Sequence, residues 1–212
     1  MVEIHSKSRT YLVITFLLLG VQKETAQFLV GPNVGLNWGA LTIENIRGSL
    51  SVNSTLESSF GAIIEFPLNP IISLRVEPSY TQTGSDVYFN DMGGPTILKH
   101  RNQYVQAPIL LQASLPLPVI SPHLLLGPNI GYLLWANMGS NRNSQLFDIK
   151  DDFNNFDFGV IIGAGLEYRI APLIKANLDY NYSMGLLNID KTNHLPTHTR
   201  GIQVFASILF SI

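Results

Sequence analysis

Between residues 173 and 184 apolar and polar side chains take strict turns. Ile174, Ala176, Leu178, Tyr180 and Tyr182 interleave with Lys175, Asn177, Asp179, Asn181 and Ser183. A period of two sends the two sets to opposite faces of a β-strand. Residues 28–38 repeat the pattern, with Phe28, Val30, Pro32, Val34, Leu36 and Trp38 set against Gly31, Asn33, Gly35 and Asn37. In 71–81, Ile72, Leu74, Val76, Pro78 and Tyr80 oppose Ser73, Arg75, Glu77 and Ser79. In 156–168, Phe158, Val160, Ile162, Ala164, Leu166 and Tyr168 oppose Gly159, Gly163, Gly165 and Glu167. Fainter copies at 59–66, 104–114, 123–136 and 201–212 complete a set of eight strands.

The connections fall into two classes. Residues 67–71 (PLNPI), 115–121 (LPLPVIS) and 169–173 (RIAPL) are short and carry proline, whereas 40–58, 84–99, 138–155 and 185–200 are long and polar. The two classes alternate along the chain, which predicts an antiparallel up-and-down meander whose ends face different surroundings.

Alternation alone does not say which stripe points inward. A water-soluble surface is about 25–35% charged, and only 13% of this chain is charged. Its polar stripe is mostly Gly, Ser and Asn, too sparse a coat for water. The apolar stripe is therefore expected to face lipid, leaving Glu65, Arg75, Glu77, Glu167, Lys175 and Asp179 inside a narrow cylinder. Aromatic placement agrees with that orientation. Trp38, Phe60, Tyr80, Tyr132, Phe158, Tyr180 and Tyr182 lie towards the long connections, and Phe28, Phe66, Tyr168 and Phe210 towards the short ones. Two aromatic girdles bracketing an aliphatic band mark the interfaces of a membrane barrel. Ten residues rising ~3.3 Å each at a tilt of about 40° span roughly 25 Å, the height of that band.

Two segments nearly repeat each other: FLVGPNVG at 28–35 and LLLGPNIG at 124–131. Both open outward-running strands, the first and the fifth. A shared local constraint explains the match, and an ancient duplication is the alternative.

Residues 1–26 read as a cleavable signal peptide. Lys7 and Arg9 precede an apolar run at 11–21 (YLVITFLLLGV), and Ala26 is a small residue at the expected cut. That run falls short of the roughly 20 residues a spanning helix needs. The domain is then 27–212. The absence of cysteine excludes a lipid-modified N-terminus and any disulfide. A formal net charge of −2 leaves no basic footprint for nucleic acid.

YVQAPILLQASLP (104–116), LLLGPNIGYLLW (124–135), DFGVIIGAGLEY (157–168) and DYNYSMGLLNI (179–189) resemble the PorT-like family of Gram-negative outer-membrane β-barrels. The likeness runs the length of the exported chain and rests on strand and rim patterns. It implies a porin-like, transmembrane barrel in the bacterial outer membrane, and with the strand count the expectation is eight strands with both termini periplasmic. Expected partners are membrane lipid, lipopolysaccharide and the barrel assembly machinery. Protein partners would engage loops 40–58, 84–99, 138–155 and 185–200. One branch of the family serves a secretion machine linked to gliding motility. Such barrels often end on an aromatic residue; here the aromatic nearest the end is Phe210.

The inward charges form the one candidate constellation. The turn at 169–173 sets Glu167 nearly opposite Lys175, Arg75 and Glu77 share a face, and Glu65 and Asp179 lie on inward stripes. Eight strands leave room only for side chains or one small ligand, so these groups are expected to act as a structural polar plug. A narrow conductance is the alternative. His194 and His198 are four apart but separated by Pro196, which denies them a shared helical face. Asp148, Asp151, Asp152 and Asp157 lack the spacing of a calcium loop. The glycines at 159, 163 and 165 are accounted for by the strand stripe rather than by a nucleotide motif. No catalytic, cofactor or metal residues are assigned. The expectation is a non-enzymatic envelope protein acting through surface loops or within a secretion or motility assembly. The alternatives are a small-solute or ion channel and a lipid-modifying or proteolytic barrel enzyme.

Overall fold

The computed structural model describes residues 28–43, 51–91, 94–141, 143–189, 191 and 197–212. The expected signal peptide lies outside the described residues. Ten strands follow in order: β1 (Leu29–Ile43), β2 (Ser51–Pro67), β3 (Ile72–Val76), β4 (Ser79–Asp91), β5 (Gly94–Ser114), β6 (Ile120–Ser140), β7 (Asn143–Asp148), β8 (Phe156–Ala171), β9 (Ile174–Gly185) and β10 (Thr197–Ser211). All pairings are antiparallel. β1 pairs with β2 on one side and β10 on the other, which closes the sheet on itself.

The ring has eight members because β3 and β4 are halves of a single wall strand. Pro78 has no N–H to give the ladder, and the strand breaks at Glu77 and Pro78. Backbone bonds bridge the break, from Ala62 N–H to the Pro78 carbonyl (3.0 Å) and from Glu77 N–H to the Pro108 carbonyl (3.0 Å). β7 sits outside the ring as an extension on the edge of β6.

The stripes point as the charge argument requires. Val34, Leu124, Ile162, Leu166 and Leu178 are among the most exposed large apolar residues, at 49–64%. Asn33, Asn37, Glu65, Arg75, Asn177, Asp179 and Asn181 are buried. The girdle residues are outward too: Phe60 meets Tyr80 at 5.1 Å between ring centres, Tyr132 meets Phe156 at 5.2 Å, and Phe28 meets Phe66 at 6.2 Å.

The four long polar segments are less loop-like than expected. Residues 51–58 belong to β2, 84–91 to β4, 94–99 to β5, 138–140 to β6, 143–148 to β7 and 197–200 to β10. In these extensions polar residues stand on both faces, so the contrast of period two fades in the sequence there. Polar pairing holds the extensions together instead: Arg101 on β5 contacts Glu57 on β2 (2.9 Å) and Asp86 on β4 (2.9 Å).

The two echoing segments occupy the first and fifth places of the ring, half a turn apart. Each makes the same local break. The β1–β10 ladder passes from Val30–Phe210 to Asn33–Ser207, and the β5–β6 ladder from Pro108–Asn129 to Leu111–Leu126, with no paired residues between. Pro32 and Pro128 have no donor for those rungs. In each gap the neighbouring strand closes in, so that a Cβ on Gly31 would meet the Ile208 carbonyl oxygen and one on Gly127 the Ile109 carbonyl oxygen. The Gly-Pro-Asn repeat thus encodes one wall feature used twice.

Candidate functional site: a lumen blocked at two levels

Six charged side chains singled out by parity all turn inward, and they divide into two groups. Nearer the short turns, Lys175 Nζ donates to Glu65 Oε1 (2.8 Å) and to Glu167 Oε2 (2.7 Å). The register opposes Glu167 to Asn177 and Lys175 to Arg169. The Glu167–Lys175 contact is therefore diagonal, not nearly opposite as the sequence spacing suggested, because the chain turns at residues 172–173, between Ala171 and Ile174.

One layer deeper, Arg75 is completely buried and crosses the cylinder. It reaches Glu77 (2.7 Å) and Asp179 on β9 (2.8 Å), and it donates to Gln112 Oε1 on β5 (3.0 Å). Asp179 also meets His123 Nε2 at 2.7 Å. Gly165 makes that meeting feasible, since a Cβ there would collide with both the imidazole and the carboxylate. In both groups a single cation is shared by two carboxylates, so each buried carboxylate has a cationic partner.

Parity reasoning missed His123 and Gln112. His123 shares the inward stripe of β6 with Leu125 and Leu133, and these leucines hide the polar character of that face. Beyond Leu133 the stripe changes phase. The β5–β6 register shifts between Gln103–Trp135 and Tyr104–Leu133, which turns Trp135 outward and Ala136 inward.

Above these groups a void of about 30 Å³ lies beside Asn37, Thr81 and Gln203. Thr199 donates to Asp157 (2.7 Å) at this height. An apolar cap follows. Ile149 and Phe153, flanking a short 3-10 turn at Lys150–Asp152, pack on buried Tyr104, Leu133 and Ala136. Backbone bonds pin the cap on two sides, from Ile149 N–H to Ala136 (2.9 Å) and from Asn154 N–H to Ile189 (2.7 Å). His100, on the β5 extension above the outer girdle, stacks on Phe153 at 5.3 Å. Burial, and then the charge of Arg101, push its imidazole down to about 4, so it is neutral at physiological pH.

The other sequence candidates do not assemble. Asp148 accepts from the Lys150 N–H (2.9 Å) and Asp157 is turned into the lumen, so the aspartates of 148–157 do not converge. His198 Nδ1 lies 3.1 Å from the Leu187 carbonyl, and His194 lies outside the described residues. Among the described residues no group of three His, Cys, Asp or Glu could hold a metal.

Two larger cavities are formed by the described residues. A groove of about 700 Å³ surrounds Ala164 on the outer apolar face, flanked by Leu124, Leu166, Leu178 and Tyr180. A polar vestibule of about 420 Å³ opens at the short-turn end beneath Glu65, Glu167 and Lys175.

Residues 21–191 match the outer membrane protein beta-barrel domain family. No curated protein matches the chain. The fold is similar to that of the outer membrane protein OprG from Pseudomonas aeruginosa, at 12% identity and a TM-score of 0.51 over 88% of this chain and 96% of that one. Other similar structures are Neisserial surface protein A, at 13% identity, a TM-score of 0.48 and coverages of 87% and 97%, and the attachment invasion locus protein Ail of Yersinia pestis. Ail aligns at 14% identity with a TM-score of 0.45 over 87% of this chain and 99% of its own. The closed ring, the outward apolar stripe and the family match lead to one conclusion: the chain belongs to the outer membrane protein beta-barrel domain family and resides in the bacterial outer membrane.

Proposed function

We propose that the protein is a non-enzymatic envelope barrel that acts through its two faces rather than by passing solutes. The observation that carries this reading is the double closure of the lumen. Arg75, tied to Glu77, to Gln112 on β5 and to Asp179 on β9, blocks the middle, and the Phe153 cap blocks the outer mouth. Charged side chains bonded to one another across so narrow a lumen oppose an aqueous file, unlike the channels of much larger barrels. The strands that rise past the outer girdle then offer a rigid surface for protein partners or for lipopolysaccharide. Membership of a PorT-like secretion or motility assembly is the finer form of this reading.

Purified barrel reconstituted in planar bilayers is expected to give no discrete conductance steps. Reproducible steps from the folded protein would replace this reading with the channel. Pull-down of the intact protein from fractionated outer membranes reports the partners: co-purifying envelope proteins support an assembly role, and barrel recovered with lipid alone opposes it.

A further inference from the structure

The vestibule at the periplasmic end has features of a receptor pocket. It is a dead end, roofed by the Arg75 layer, and its volume of about 420 Å³ lies within the range of small-molecule sites, about 300–1,000 Å³. Its mouth is preformed. Pro67, Pro70, Pro116 and Pro172 restrict the turns, and Asn69 Oδ1 accepts from the N–H groups of Ile71 and Ile72 (both 2.8 Å).

Charge is distributed unevenly along this pocket. At its inner end one ammonium, Lys175, is shared by two carboxylates, Glu65 and Glu167, leaving one negative charge in excess. Glu65 is 2% exposed, and its Oε2 has no hydrogen-bond partner among the described residues. At the mouth the sign reverses. Arg169 lines the pocket, sits opposite Lys175 in the register, and has no ion-pair partner among the described residues. Glu167 and Arg169 lie two residues apart on the inward face of β8, about 7 Å along the strand.

We propose that the vestibule binds a small zwitterion from the periplasm, a dipeptide-sized molecule with its free amine directed inward to Glu167 and its free carboxylate held at the mouth by Arg169. An extended dipeptide spans about 7 Å, comparable to the spacing of these two positions along the strand. A pocket with negative depth and a positive rim selects a ligand of the opposite polarity, and both ends of the ligand must be charged.

The test titrates folded barrel in detergent micelles with L-alanyl-L-alanine, followed by calorimetry. Saturable one-to-one binding is expected. N-acetylation and C-amidation of the probe should each weaken it at least tenfold. Arg169→Ala, an exposed position whose folding is checked by gel mobility with and without heating, should weaken the dipeptide at least tenfold and leave the amidated probe unchanged. Absence of saturable binding, or binding indifferent to either cap, would overturn the proposal using unmodified protein alone. Equal binding by folded Arg169→Ala would do the same. None of these outcomes bears on conductance, so this proposal and the closed-lumen reading stand or fall separately.

Discussion

Arg75→Ala will lower the unfolding free energy of the barrel by about 3–5 kcal/mol, the usual cost of removing one partner from a buried ionic group. The guanidinium is completely buried and has three partners on or across the wall: Glu77, Asp179 and Gln112. Without it two carboxylates remain in the interior with only His123 close to Asp179. The cost comes mainly from those stranded charges rather than from lost attraction, and this has a consequence of its own. Adding Glu77→Gln and Asp179→Asn to Arg75→Ala should restore most of the stability, because the remaining groups are neutral. Urea unfolding in lipid vesicles measures both variants. A triple variant no more stable than the single one would show that Arg75 acts by filling space, not by compensating charge.

Leu178→Arg will cost about 2–4 kcal/mol, the penalty for a cation on the lipid face near the bilayer midplane. Leu178 is 55% exposed and lies midway along the outward run of residues 174–182 on β9. Its cross-strand neighbours are Leu166 and Ala206, so no acidic side chain lies opposite to receive the guanidinium. The same substitution at a water-facing strand position would be nearly neutral, within about 0.5 kcal/mol. A neutral result at Leu178 in the urea assay would therefore place that stripe in water.

The fold was readable because two environments, lipid outside and a polar lumen inside, imprint opposite chemistry on successive residues. Where that contrast holds, as from Ile174 to Tyr182, parity alone assigns each side chain to its face. Legibility ends where the contrast does. The extensions of β2, β4 and β5 carry polar residues on both faces, with Glu57, Asp86 and Arg101 paired between strands, so they read as loops. The split of β3 from β4 was hidden because Pro78 keeps its place in the apolar stripe. Among the inward charges parity found Arg75, Lys175 and their carboxylates, but not which cation serves which acid. That choice depends on strand register and on reach across the cylinder. Arg75 meets Asp179 over a separation of 104 residues and Lys175 meets Glu65 over 110, contacts with no local trace. His123 was lost among leucines, and the Phe153 cap belongs to a segment whose polar composition suggested only a loop.

Spin labels placed singly along β9 in the reconstituted protein test the lipid-facing stripe most directly. Labels at 174, 178, 180 and 182 should collide freely with dissolved oxygen, which concentrates among acyl chains, and be shielded from a water-soluble nickel chelate. Labels at 177 and 181 should be immobile and poorly accessible to either reagent. The opposite pattern, with oxygen reaching the Asn177 and Asn181 positions and Leu178 buried, would put the oily side chains in the middle of the molecule and contradict a barrel that wears them outside.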